Sequence, residues 1–164
     1  MPRPLVFSRN RCTAVEQIDE QTFKSTCRLQ DPLNDAFVQI TVKLPDLEIT
    51  GVTGEFYRTC QDECLDISRA VEKMKGVRIG SGMLKIIKGL VAETTDCRQL
   101  GFMIEECCHG VILSFTKDQL LQLPEGEEIP VEQYQQMVRD NVRLFNRCAA
   151  FTPGSSMVEG IDLT

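Results

Sequence analysis

The hydrophobic period of this chain changes once, at Thr59, and that change limits its possible folds more than any other feature. Before it, apolar and polar residues alternate. Thr22, Lys24, Thr26 and Arg28 are polar while Phe23, Cys27 and Leu29 take positions between them, and Val38, Ile40, Val42 and Leu44 repeat the pattern after the turn Asp31-Pro32-Leu33-Asn34-Asp35. Alternation puts successive side chains on opposite faces, so these segments read as strands with one buried face. Pro45-Asp46 marks a second turn before Leu47-Glu48-Ile49-Thr50, and Gly51 and Gly54 break the alternation as a bulge or bend does. Cys12 to Ile18 pairs with the strand after Asp19-Glu20, which predicts an antiparallel sheet of about four strands.

From Thr59 onward the spacing is helical. Cys60, Cys64, Ile67, Val71 and Met74 fall on one stripe, and Gly76 is a natural stop. Gly80-Ser81-Gly82 opens a shorter apolar helix through Met83, Leu84, Ile86 and Ile87 to Gly89. Thr94-Thr95-Asp96 offers N-caps for a long helix whose buried stripe is Cys97, Leu100, Ile104, Cys108, Val111 and Phe115. After the polar connector Pro124 to Pro130, a last helix carries Val131, Tyr134, Val138, Val142 and Phe145, and ends before Pro153-Gly154-Ser155-Ser156. Sheet first and helices second is the order of an α+β domain. A single domain over residues 1–164 is expected, with the sheet in about 5–58, three or four helices covering one face in about 59–150, and a mobile tail in about 152–164.

A formal net charge of -6 argues against a nucleic-acid binder, which needs a clustered basic surface to meet phosphates. The run Lys73, Arg78, Lys85 and Lys88 is the one basic candidate, and it reads as a solvated helix face. The start Met1-Pro2-Arg3-Pro4-Leu5-Val6-Phe7 lacks an apolar run of signal-peptide length, and no later segment approaches bilayer-spanning length. A soluble, cytoplasmic protein without membrane association is expected. Thiols stay reduced in that compartment, so the eight cysteines read as core fillers, metal ligands or redox groups before they read as disulfides.

Two of these cysteines stand at helix starts. A helix start carries unpaired N–H groups and partial positive charge, which favour the thiolate that binds metal or attacks an electrophile. Cys60 and Cys97 hold such positions, and Asp96 beside Cys97 can cap or coordinate. Cys64 lies one turn after Cys60 on the same face, close enough to share a metal, though that face is also the core stripe. Cys27 sits on the apolar side of a strand beside Phe23 and Leu29, and Cys107-Cys108 falls mid-helix, where adjacent side chains diverge. His109, the single histidine, is paired most simply with Glu105 one turn away, and Gly80-Ser81-Gly82 lacks the lysine and spacing of a phosphate loop.

From Phe37 to Phe115 the order of features resembles a family of uncharacterised bacterial proteins built on a domain of unknown function. The shared features are an antiparallel strand pair, a cysteine-bearing helix start Thr59-Cys60-Gln61-Asp62-Glu63-Cys64, a Lys75-Gly76 helix end, and a following helix opened by Cys97. That family's last motif is Gly-Cys-x-His-Leu, where this chain reads Asp96-Cys97-Arg98-Gln99-Leu100. Gln99 in place of the histidine implies that a function using it is lost or replaced. The chain is also similar, more distantly, to the U-type (NifU-like) iron-sulfur assembly scaffolds, which place three cysteines in a strand region, at the start of a helix ending in Lys-Gly, and at the opening of a later helix. Cys27, Cys60 and Cys97 take those places in order, although Arg28-Leu29 follows Cys27 where the scaffolds have Gly-Asp.

The leading expectation is therefore a non-catalytic thiolate site, built by Cys60 and Cys97 with Cys27 or Cys64 and Asp96, that holds zinc or an iron-sulfur cluster. One alternative is a small-molecule or acyl-handling enzyme in which Cys60 or Cys97 is a nucleophile beside an apolar pocket. Another is a regulatory or assembly module that binds a protein partner and whose cysteines are purely structural.

Overall fold

A computed structural model describes residues 5–59, 67–80, 82–93, 97–121, 129–140, 142–146 and 148–161. Alternation in the first third becomes four strands: β1 (Asn10–Asp19), β2 (Thr22–Gln30), β3 (Asp35–Lys43) and β4 (Glu48–Arg58). Each pairs antiparallel with the next, so the sheet is a meander in the order β1-β2-β3-β4. With the helices that follow it, this is an α+β fold.

Register decides which residues share a face. Phe23, Ser25, Cys27 and Leu29 on β2 stand opposite Val42, Ile40, Val38 and Ala36 on β3, and all eight are buried. The same face continues onto Val15 and Thr13 of β1 and onto Ile49 and Val52 of β4. Near Gly51 the β3–β4 register shifts between Thr41 and Val42, which makes Thr50 the extra residue of a bulge. The opposite face is polar and laced with ion pairs such as Lys24 to Glu16 and Arg28 to Asp35.

Local chemistry sets the turns. The Asp19 carboxylate accepts the Gln21 N–H at 2.8 Å at the first hairpin. At the second, Asp31 Oδ1 accepts the N–H groups of Leu33 and Asn34, both at 2.7 Å, while Oδ2 meets Arg9 Nε at 2.8 Å. Arg58, at the far end of β4, donates to the Asp31 carbonyl at 2.6 Å. One buried aspartate thus ties the residue before β1, the β2–β3 turn and the end of β4 together.

The chain forms two compact units, Met1–Val111 and Ile112–Thr164. In the first, α1 (Ile67–Glu72) packs beside β4, and the chain then turns back along that strand. Gly76 makes this turn with a φ of 84°, where a side chain is disfavoured, and its N–H reaches the Ile49 carbonyl at 2.8 Å. Next come α2 (Met83–Ile87), a π-helical turn (Lys88–Ala92) and α3 (Arg98–Leu120), with the division between units falling inside α3. Met74, Met83, Ile87, Leu100, Met103 and Ile104 are fully buried and close the core of this unit.

Among its described residues the second unit contains α4 (Val131–Asp140) and short 3-10 turns at Val142–Leu144, Ala149–Phe151 and Ser156–Val158. The spacing predicts one helix as far as Phe145, and the structure ends α4 at Asp140. Met137, Val138, Leu144, Phe151 and Val158 form a small core of their own. The expected tail therefore supplies Val158 to that cluster. Among the described residues, no helix is long and apolar enough to cross a membrane.

Candidate functional site

The two cysteines expected at the first helix start, Cys60 and Cys64, and the aspartate beside the second, Asp96, lie outside the described residues. Cys97 directly precedes the first residue of α3 and is buried, and its carbonyl accepts the Gly101 N–H at 3.5 Å. Cys27 is elsewhere. It is sealed under the sheet opposite Val38, whose carbonyl receives the Cys107 thiol at 3.8 Å, and so lies at the level of Cys107 on α3. Ten residues of helix separate that level from Cys97, a rise of about 15 Å, so the fold does not bring Cys27 and Cys97 together.

Burial sets the character of the described core thiols. It raises Cys27 above the usual thiol range, partly offset by a hydrogen bond with Thr13, and it raises Cys107 further. Cys108 is pushed up to about 12 by the same cause, with the Glu105 charge adding to it. Nucleophilic attack needs the thiolate, which burial disfavours at these three positions. Among the described residues, no three His, Cys, Asp or Glu side chains converge as a metal site.

A different feature of the same unit offers a surface for chemistry. Between α2, the π-helical turn and the first turns of α3 runs a half-open groove of about 740 Å³. Its floor is Ile87, Ala92 and Gly101, and its apolar walls are Leu84 and Phe102, both exposed. Gly101 lets the walls converge, because a Cβ there would come within 3.2 Å of the Ala92 methyl. Three cations, Lys85, Lys88 and Arg98, border this floor together with two acids, Glu93 and Glu105.

The charges are not evenly matched. Lys88 and Glu93 approach to 3.8 Å across open solvent, a pair worth little. Lys85 and Arg98 have no acidic partner among the described residues. Burial raises the pKa of Glu105, against the opposing charge of His109 one turn on. His109 stands one helical turn beyond Glu105, near enough for their charges to interact, and the two form no ion pair.

No ligand site was read from the groove residues in the sequence. Lys85 and Lys88 read there as a solvated face, and Arg98 and Phe102 lie off the buried stripe of α3. The available signal was negative: Phe102 is a large aromatic on the polar side of an amphipathic helix, where packing does not call for it. The chain matches no protein-family model, no curated protein and no solved structure, so the resemblances drawn from its motifs stand on those motifs alone.

Proposed function

We propose that the Met1–Val111 unit is a non-catalytic binding module, with the groove between α2 and α3 as its ligand site and Cys27, Cys107 and Cys108 as structural residues. The carrying observation is the groove itself, an apolar floor of small-molecule size bordered by two cations, Lys85 and Arg98, that form no ion pair with a described acid. Buried, protonated thiols support the structural role of the cysteines. The cytoplasmic placement read from the sequence belongs with this proposal.

Amide NMR during a screen of amphipathic small molecules tests it. Ligands that bind should move the amides of Gly101 and Phe102, and Phe102→Ser should abolish their binding while leaving the sheet resonances in place. A screen in which no compound perturbs the groove amides would refute the reading.

A second reading keeps a thiolate centre for zinc or an iron-sulfur cluster, formed by Cys97 with Cys60, Cys64 and Asp96 and without Cys27. The position of Cys97 directly before α3 favours it, since the free N–H groups of a first turn stabilise a thiolate. Elemental analysis of protein purified without air decides it. A metal-free preparation that also refuses zinc and iron on reconstitution would remove this centre.

A further inference from the structure

Resting on the groove as a binding site, we infer that its ligand is a small amphipathic anion, a single acyl chain ending in a carboxylate. The argument is one of complementarity. The chain as a whole carries a formal charge of -6, yet this groove collects three cations against two acids. An anion approaching the molecule is repelled in general and attracted here.

Each part of such a ligand has a counterpart. Leu84, Ile87, Ala92, Gly101 and Phe102 present continuous apolar surface, which removes a hydrocarbon tail from water. Lys85 and Arg98, lacking acidic partners among the described residues, supply the donors for a carboxylate, and a guanidinium can grip one through two parallel N–H bonds. Of the two acids at the groove Glu93 stands beside Lys88, which leaves Lys85 and Arg98 facing Glu105 alone.

Size argues for a small molecule over a protein segment. A volume of about 740 Å³ lies within the range of small-molecule sites. A stable protein interface needs roughly 800 Å² from each partner. Among the described residues, the exposed large apolar side chains beside the groove are Leu84, Ile86 and Phe102, too few to form the core of such an interface.

The test is calorimetric titration of the full chain with decanoate, decanol and acetate, each below its aggregation concentration, with groove amides followed by NMR. Decanoate should bind with one-to-one stoichiometry, decanol about tenfold more weakly, and acetate not measurably. Lys85→Gln and Arg98→Gln, at exposed positions where the fold tolerates change, should each weaken decanoate about fivefold and leave decanol unaffected. Equal binding of decanol and decanoate, or no effect of either glutamine variant, would overturn the anion assignment and leave the binding groove standing. A groove occupied by an acidic amphipathic peptide but by neither amphiphile would overturn it in favour of a protein partner. Failure of every probe to move the Gly101 and Phe102 amides would refute both this inference and the binding module.

Discussion

The Ser25 hydroxyl donates a 2.9 Å hydrogen bond to the carbonyl oxygen of Cys107, 82 residues away and fully out of solvent. It is a polar contact in the middle of the sheet–helix interface, where a strand side chain meets a carbonyl within a helix. The carbonyl has its own place in the α3 ladder, so removing the hydroxyl costs one neutral hydrogen bond and leaves no acceptor stranded. Ser25→Ala should lower stability by about 1 kcal/mol, read as a shift of the urea midpoint at unchanged slope. An unchanged midpoint would show that the bond contributes nothing.

Gly110 permits the close approach of α3 to β1. A Cβ there would lie 3.0 Å from the Val15 methyl, 3.1 Å from the Thr13 methyl and 3.4 Å from the Ser25 hydroxyl. Alanine favours a helix by up to about 1 kcal/mol over glycine, and this crowding opposes that gain. Because β-branched Val15 and Thr13 are stiff at χ1, we expect Gly110→Ala to be net destabilising by about 1 kcal/mol. Val15→Ala in the same chain should recover most of the loss, and a double-mutant cycle by urea unfolding measures the coupling. Additive effects would mean that the contact does not limit the helix position.

The sheet was legible because its constraint is local. Phe23, Cys27 and Leu29 alternate with polar residues whatever lies above them, and the turns at Asp31 and Pro45 separate the strands. Ser25 was not legible as core, since its burial depends on a carbonyl that a distant helix brings to it. On α3 the stripe through Leu100, Ile104, Cys108 and Val111 is buried as the spacing predicts, but Met103 and Cys107 are fully buried as well. A helix pressed on a sheet and flanked by another helix buries more than one stripe. The groove was hidden for a related reason: its two walls, Leu84 and Phe102, are eighteen residues apart in sequence, and the close approach of Ala92 to Gly101 depends on the missing side chain of the glycine.

Asp31 gives the fold an acid limit. Burial works to raise its pKa and is outweighed by the N–H groups of Leu33 and Asn34 and by the Arg9 guanidinium, so the carboxyl is held below its ordinary 3.8. A carboxyl depressed in the folded state contributes stability above its unfolded pKa, and that contribution is lost as pH falls through the folded value. The Asp31 carboxyl carbon should therefore titrate below pH 3.8 by NMR. Asp31→Asn should lower the urea midpoint at neutral pH and make its decline on acidification shallower. Some decline should remain, because Asp19 and Asp35 are held down as well, Asp19 by the Gln21 N–H and Asp35 by the Gln30 amide. A normal titration of Asp31 would show its hydrogen bonds to be too weak to offset burial.

The core thiols set the alkaline limit, with the opposite sign. Cys27, Cys107 and Cys108 all ionise above their ordinary 9.0 because burial disfavours the charged form. A group whose folded pKa is raised stabilises the native state fully below its unfolded pKa, and that contribution drains away as pH rises toward the folded value. Stability should be flat in these thiols at neutral pH and fall from about pH 9 upward, by as much as about 1.4 kcal/mol per pH unit for each thiol. The same burial controls reactivity. At pH 8 a thiol reagent should modify exposed Cys12 and Cys148 quickly, and should reach Cys27, Cys107 and Cys108 only when urea opens the fold. Mass-spectrometric mapping of alkylated peptides, with and without urea, separates the two groups. Rapid labelling of Cys107 or Cys108 in the native protein would place a thiolate where the packing allows none.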